Sequence, residues 1–482
     1  MQENNKSVIT NFFWRFAERC GAQGVSFIVS IVLARLLSPE TYGTIAIVTV
    51  FTSILQVFVD SGLGNALIQK KNADDLDFST VYYFNIFICL ILYAIMFFCA
   101  PLVAGFYNDN SLVPVIRVLS LTIVISGIKN IQQAYISRTM QFKRFFFATL
   151  GGTIGAAVIG IVLAYMGYGV WALVIQQLFN ASVDTIILWM TVRWRPQREF
   201  SFQRLKGLLK FGSKLLFSSL LETLYNNVRQ LVIGKMYSTS DLAFYNRGKQ
   251  FPDLFITNIN SSIDSVLLPT MSKEQDNREK VRELTRYSIK ISIYIMAPLM
   301  MGLAFCAEPV VRLVLSDKWV ECIPFLRIFC ITSMFYPIHT ANLNAIKAMG
   351  RSDLFLILEI IKKIVGVIAL LGTMWISVKA MAYSLLVTSV LSQVINSWPN
   401  RNLLDYSYPK QVTDILPSII LAVLMGTVVS FFSLLNLSDI VTIFIQVIVG
   451  AIVYLVGSVV FKLDSFYYIV NILKQYIYKT NS

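Results

Sequence analysis

Charge is scarce in this chain: Asp, Glu, Lys and Arg together make up 14% of 482 residues, against about 25% in a typical soluble domain. A large water-facing surface needs that charge, so a big soluble core is excluded. There is one histidine, His339, and the six cysteines contain no CxxC pair; neither a metal nor another cofactor is expected. No glycine-rich P-loop is present, which argues against ATP hydrolysis. The longest expected loops run to about a dozen residues, too short for the extramembrane domain that a membrane glycosyltransferase or polymerase normally needs. The chain is not expected to be an enzyme.

What fills the sequence instead is apolar: 56% of the residues are hydrophobic. A transmembrane helix needs about 20 mainly apolar residues, and the sequence supports about fourteen such segments. They cover 10–37, 42–67, 80–106, 113–136, 144–166, 169–192, 207–235, 242–270, 284–307, 322–348, 353–375, 378–398, 412–435 and 440–461. The expected class is an all-α polytopic membrane protein. The polar N-terminal stretch lacks a short apolar core with a small-residue cleavage site, so the first segment is expected to be retained.

The net charge of +14 would point to nucleic acid in a soluble protein. Here the cations cluster at segment ends, as the positive-inside rule predicts, and no nucleic-acid partner is expected. Alternate loops carry Lys70 and Lys71, Arg138 and Lys143, then Arg193, Arg195, Arg198 and Arg204; the intervening segments 107–112, 167–168 and 436–439 carry neither Lys nor Arg. That bias places both termini in the cytoplasm. Cys306 and Cys322 flank one expected outer loop, where either a disulfide or plain apolar packing fits.

An internal repeat recurs at an offset near 210 residues. Pro114-Val115-Ile116-Arg117-Val118 matches Pro324-Phe325-Leu326-Arg327-Ile328, and residues 33–43 resemble 233–245 at a slightly shorter offset. The unit is six segments, and an even number preserves orientation, so the copies are parallel. The expected organisation is a six-helix lobe over 1–200, a second over 201–405, and two further helices with a tail over 406–482.

Polar residues line single faces of four segments at helical spacing. The first carries Arg15, Arg19, Gln23, Ser26 and Ser30, with Glu18 beside them; the second carries Thr49, Ser53, Gln56 and Asp60. The seventh has Lys210, Lys214, Ser218, Glu222, Asn226 and Arg229, and the eighth has Arg247, Gln250, Asp253, Thr257, Ser261 and Asp264. Charge inside a span normally faces a bundle interior or an aqueous cavity. The simplest arrangement puts the four stripes around one cleft, with Arg15, Arg19, Arg229, Arg247 and Lys249 as the cations of an anion-binding site. The blander alternative pairs those cations with Glu18, Asp60, Glu222 and Asp264 as structural salt bridges. Asp184 follows Gln176 and Asn180 on one face and is a candidate for a coupling ion. His339 is either a titrating group or a packed, hydrogen-bonded one; its repeat equivalent is Lys129. Gly151 and Gly155 form a GxxxG that reads as close helix packing.

The run from Phe27 to Gly43, with Leu33-Ala34-Arg35-Leu36-Leu37-Ser38-Pro39-Glu40-Thr41-Tyr42-Gly43 at its end, resembles the start of bacterial oligosaccharide flippases. So does Val57-Phe58-Val59-Asp60-Ser61-Gly62-Leu63-Gly64. These are the lipopolysaccharide and exopolysaccharide exporters of the multidrug/oligosaccharidyl-lipid/polysaccharide superfamily. The resemblance implies a cargo of undecaprenyl-diphosphate-linked oligosaccharide. It implies movement from the cytoplasmic to the periplasmic leaflet of the inner membrane, alternating access, and coupling to an ion gradient or membrane potential. Membrane lipid, and the polymerase and chain-length machinery of polysaccharide assembly, are the partners it brings. A small-molecule antiporter of the same fold and a non-transporting assembly scaffold are the competing expectations.

Overall fold

The fold is taken from a computed structural model, which describes residues 21–60, 63–139, 142–435 and 437–480. Among them every regular element is helical. The helices are α1 (Gly21–Leu36), α2 (Pro39–Asp60), α3 (Leu63–Gln69), α4 (Asp75–Tyr107), α5 (Leu112–Leu119), α6 (Leu121–Thr139), α7 (Phe142–Tyr165), α8 (Val170–Thr191) and α9 (Phe202–Met236). They continue as α10 (Thr239–Lys273), α11 (Arg278–Phe305), α12 (Ala307–Val314), α13 (Ile323–Met334), α14 (Tyr336–Ala348), α15 (Ser352–Thr373), α16 (Val378–Leu404), α17 (Tyr408–Phe431), α18 (Asp439–Val460) and α19 (Asp464–Thr480).

Among the described residues nine helical stretches are long and apolar enough to cross a membrane, and two shorter apolar ones lie over Gly21–Leu36 and Thr149–Tyr165. The long helices α9, α10 and α15 coincide with the remaining expected segments; α9 and α10 are more polar, and α15 is apolar but carries Glu359, Lys362 and Lys363 near its middle. The chain is an all-α, multi-pass membrane protein. Two segments expected as single helices are each made of two: α5 and α6 meet at Ser120, and α13 and α14 meet at Phe335. The break therefore recurs at related places in the two repeats.

The chain divides into two compact units, one running up to Ala243 and the other starting at Phe244. The division falls inside α10. In the first unit, α7 and α8 lie against each other because glycines let their backbones approach. A Cβ on Gly155 would sit 2.8 Å from Phe179 Cε1, one on Gly151 3.1 Å from Ile187 Cδ1, and one on Gly152 3.0 Å from Asn180 Oδ1. That is the close packing the GxxxG predicts. A core of Leu67, Phe78, Val81, Ile131, Leu188 and Trp194 closes one end of this unit. Trp194 belongs to the stretch joining α8 to α9, and its ring lies near Phe78, Tyr82 and Tyr135.

That connecting stretch is stitched down by polar groups at the start of α4. A capping box opens the helix: Asp77 N–H donates to Asp74 Oδ1 (3.0 Å) and Asp74 N–H to Asp77 Oδ2 (3.2 Å), reciprocal bonds that satisfy otherwise orphaned amides. Trp194 Nε1 donates to Asp75 Oδ1, Gln197 N–H to Ser79 Oγ and Ser201 N–H to Thr80 Oγ1.

In the second unit α17 packs along α11, and α18 packs on α17 and α12. Tyr454 Oη donates to the Tyr294 carbonyl at 2.9 Å. A buried amide cluster of Asn342, Asn400 and Gln411 joins α14, α16 and α17. The outer faces of α17 and α18 keep Ile420, Leu424, Ile440, Phe444 and Val447 exposed, as lipid-facing helices should. The disulfide considered for Cys306 and Cys322 is not formed: both are free thiols, buried among apolar neighbours.

Candidate functional site

Arg15, Glu18 and Arg19 lie outside the described residues. The rest of the stripes can be placed. On α2, Thr49 and Asp60 are exposed and Ser53 and Gln56 half-buried; on α9, Lys210, Lys214, Ser218, Glu222 and Asn226 are exposed. Of the two, α2 lies in a stretch apolar enough to cross a membrane and α9 does not; charge within a span normally faces a bundle interior or an aqueous cavity. Arg229, further along α9, is buried. On α10, Arg247 is buried, its guanidinium carbon 5.3 Å from the centre of the Trp319 ring, and it donates to Gln250 Oε1. Lys249 is half-buried, and Asp264 is exposed.

The acidic members are held chiefly by amides. Asp60 Oδ1 accepts from Gln56 Nε2 at 3.0 Å and from Asn130 Nδ2 on α6 at 3.1 Å. Asp264 Oδ1 accepts from Asn344 Nδ2 on α14 at 2.8 Å. Glu222 Oε1 accepts from Asn226 one turn along α9. Asp60 and Asp264 have no cation within salt-bridge distance among the described residues. The two aspartates sit on corresponding helices of the repeat, and each is oriented by an asparagine from the helix two segments on.

A second repeated pair lies beside the first. Lys129 on α6 makes an ion pair with Asp184 on α8, Nζ to Oδ2 at 2.8 Å. The other oxygen, Oδ1, is buried without a hydrogen-bond partner among the described residues. At the corresponding place in the second unit, His339 Nδ1 and Asn396 Nδ2 are 3.1 Å apart. The same helix pairing is thus ionic in one unit and closed by an amide and an imidazole in the other. Nothing in the sequence alone sets Asn130, Asn344 and Asn396 apart. Asn130 follows Lys129, whose equivalence to His339 was legible, so polar residues at repeated positions of apolar segments were the available signal.

Similarity to known proteins agrees with this architecture. The family described as "Polysaccharide biosynthesis protein" matches residues 32–324. The chain is 26% identical over 330 residues to the succinoglycan biosynthesis transport protein ExoT of Rhizobium meliloti (strain 1021), covering 68% of this chain and 67% of that one. It is 23% identical over 333 residues to the lipopolysaccharide biosynthesis protein WzxC of Escherichia coli (strain K12), covering 69% and 68%. The matched regions span about two thirds of these relatives. Its fold is similar to that of the lipid II flippase MurJ in an inward closed conformation, with a TM-score of 0.73 at 16% identity over 94% of this chain and 98% of that one. An inward-facing multidrug resistance MATE transporter of the MOP superfamily superposes with a TM-score of 0.63 at 16% identity, over 79% and 94%.

Proposed function

The chain belongs to the polysaccharide biosynthesis protein family, and from that premise we propose that it is a flippase for undecaprenyl-diphosphate-linked oligosaccharide repeat units. It takes them from the cytoplasmic to the periplasmic leaflet of the inner membrane for surface polysaccharide synthesis. The observation that carries this reading is the combination of that family with polar faces on α2, α9 and α10 of a membrane protein. A sugar head group needs water and hydrogen-bond partners along its path, whereas a polyprenyl tail needs lipid.

In this reading Arg15, Arg19, Arg229, Arg247 and Lys249 receive the diphosphate. Guanidinium forks match phosphate oxygens and remain charged at any working pH. Asp60, Glu222 and Asp264 keep the passage polar and balance part of its charge, and Asp184 is the coupling candidate. Two six-helix repeats alternate access by rocking, with both termini cytoplasmic. A cation-drug pocket would favour acidic and aromatic lining, and the cations named here weigh against that alternative.

The test is to replace Arg229 and Arg247 singly with Ala, then Arg15 and Arg19, to confirm membrane insertion, and to measure surface polysaccharide. Loss of export with normal protein level is the expected result. Intact export in all four variants rejects the cationic site.

A further inference from the structure

Two related helices carry a proline in their interior. Ala100-Pro101-Leu102 with Gly105 lies on α4, and Ala297-Pro298-Leu299 with Gly302 lies on α11. These are the third and ninth expected segments, equivalents in a six-segment repeat, and the matching run puts both prolines at one position of it. Proline has no N–H, so it leaves the carbonyl four residues back without its helical donor. Those carbonyls belong to Phe97 and Tyr294. In a membrane helix a carbonyl freed in this way takes its donor from a neighbouring helix.

Each carbonyl has such a donor, and the two donors come from different places in the chain. Arg117 on α5 donates through Nε to the Phe97 carbonyl at 3.2 Å, and its guanidinium carbon lies 4.2 Å from the centre of the Phe97 ring. Tyr454 on α18 donates through Oη to the Tyr294 carbonyl at 2.9 Å, and the centres of the two rings are 5.1 Å apart. Tyr294 Oη in turn meets Ser458 Oγ at 2.9 Å, and Ser458 Oγ donates to the Tyr454 carbonyl at 2.7 Å. That closes a ring of hydrogen bonds between α11 and α18, and all three side chains are buried. Arg327, the repeat equivalent of Arg117, donates instead to the Ala304 carbonyl near the end of α11. In the second unit the proline is thus served by a helix that lies beyond the six-segment repeat in sequence.

Beyond each proline only the last turns of the helix remain, ending at Tyr107 on α4 and Phe305 on α11. Leu102 and Phe106 are exposed, so little protein packs on that side of α4. Gly105 and Gly302 are not required by close packing: a Cβ on Gly105 would meet nothing within 4 Å, and one on Gly302 only Met425 Cε at 3.8 Å. Glycine without a packing reason loosens a helix. A helix that loses a backbone bond at proline and stiffness at glycine bends there most easily. The end of α4 also grips α9, the helix of Glu222 and Arg229: Tyr107 Oη donates to the Leu231 carbonyl, and Lys235 Nζ donates to the Phe106 carbonyl. We propose that Pro101 and Pro298 are matched hinges, beyond which the last turns of α4 and α11 open independently of the rest of each helix, and that Arg117 and Tyr454 are the latches that hold them closed. The hinges do not depend on the flippase reading, because they are tested on the purified protein without transport.

The experiment is hydrogen–deuterium exchange on the purified full-length protein in detergent, read by mass spectrometry over residues 102–107 and 299–305. Arg117→Met and Tyr454→Phe each remove one donor and keep most of the side chain. Arg117→Met should speed exchange over 102–107 about fivefold or more and leave 299–305 unchanged; Tyr454→Phe should do the reverse. Pro101→Ala and Pro298→Ala restore the backbone donor, so in those backgrounds the same latch change should have less than about a twofold effect. Unchanged exchange in a latch variant overturns that latch. Acceleration that persists undiminished in the alanine backgrounds assigns Arg117 and Tyr454 to general packing and overturns the hinges. Acceleration over both stretches in either variant reports loosening of the whole protein and overturns independent opening. Should Arg117→Met fail to fold, Tyr454→Phe, which loses only a hydroxyl, decides the matter by itself.

Discussion

Gly43 and Thr239 touch backbone to backbone: a Cβ on Gly43 would lie 1.9 Å from the Thr239 carbonyl oxygen and 2.8 Å from its Cα. The contact joins two related turns. Ser38 Oγ accepts from Thr41 N–H at the start of α2, and Ser238 Oγ accepts from Asp241 N–H at the start of α10. Across the contact, Ser240 Oγ donates to Glu40 Oε1 at 2.8 Å. The glycine that ends the recognisable Ser38-Pro39-Glu40-Thr41-Tyr42-Gly43 run is there because no side chain fits between the two turns.

Gly43→Ala should therefore destabilise the protein by about 1–3 kcal/mol, the usual cost of overpacking, since backbone atoms must move. Gly372→Ala is the control, because a Cβ there meets nothing within 4 Å. Thermal unfolding of the purified variants in detergent checks the difference. Equal midpoints for the two would contradict the close approach.

Lys129→Met should be far more harmful than the double change Lys129→Met with Asp184→Leu. The single variant leaves a carboxylate without its counter-charge in a side-chain environment only 11% exposed. Breaking a buried pair by removing one partner costs about 3–5 kcal/mol, whereas replacing both with apolar groups is often neutral. A double-mutant cycle on unfolding midpoints measures the coupling. Additive effects would mean that the two charges do not interact.

Asp60→Asn and Asp264→Asn should leave stability within about 1 kcal/mol of the starting protein, because an asparagine carbonyl still accepts from Asn130 or Asn344. If these aspartates serve the passage, export should fall although the protein remains folded. Surface polysaccharide, normalised to the amount of protein in the membrane, is the readout.

Asp74 predicts an acid limit for the anchored connection between α8 and α9. Its bond from Arg204, helped by the Asp77 N–H, holds the carboxyl below its ordinary value. A carboxylate with a lowered folded-state value contributes stability that is fully present above the ordinary value of about 4. That contribution is lost as pH falls through the lowered one. Hydrogen exchange at Ser201 and Arg204 should stay slow from neutral pH to about 4, after correction for intrinsic rates, and speed up below. Asp74→Asn should remove that pH dependence.

Much of the candidate site was legible because charge inside an apolar segment is conspicuous. Arg229, Arg247, Asp60, Glu222 and Asp264 all announce themselves on helical faces. Their partners did not. Asn130, Asn344 and Asn396 are ordinary residues until folding brings α6, α14 and α16 against the helices that carry the charged or imidazole groups. Arg204 and Lys70 read from the sequence as loop cations obeying the positive-inside rule. Only the fold shows Asp74 and Asp77 holding both of them in ion pairs.

By itself the sequence determined the class of solvent, the helical segments and the internal repeat. These follow from local quantities: apolar length against bilayer thickness, charge at segment ends, and like residues at a constant offset. Tertiary structure decided which polar groups meet, that Cys306 and Cys322 are not joined, and why Gly43 must be glycine. Those outcomes depend on distances of a few ångströms between residues tens to hundreds of positions apart, and periodicity along one helix carries no information about the neighbour that helix will meet.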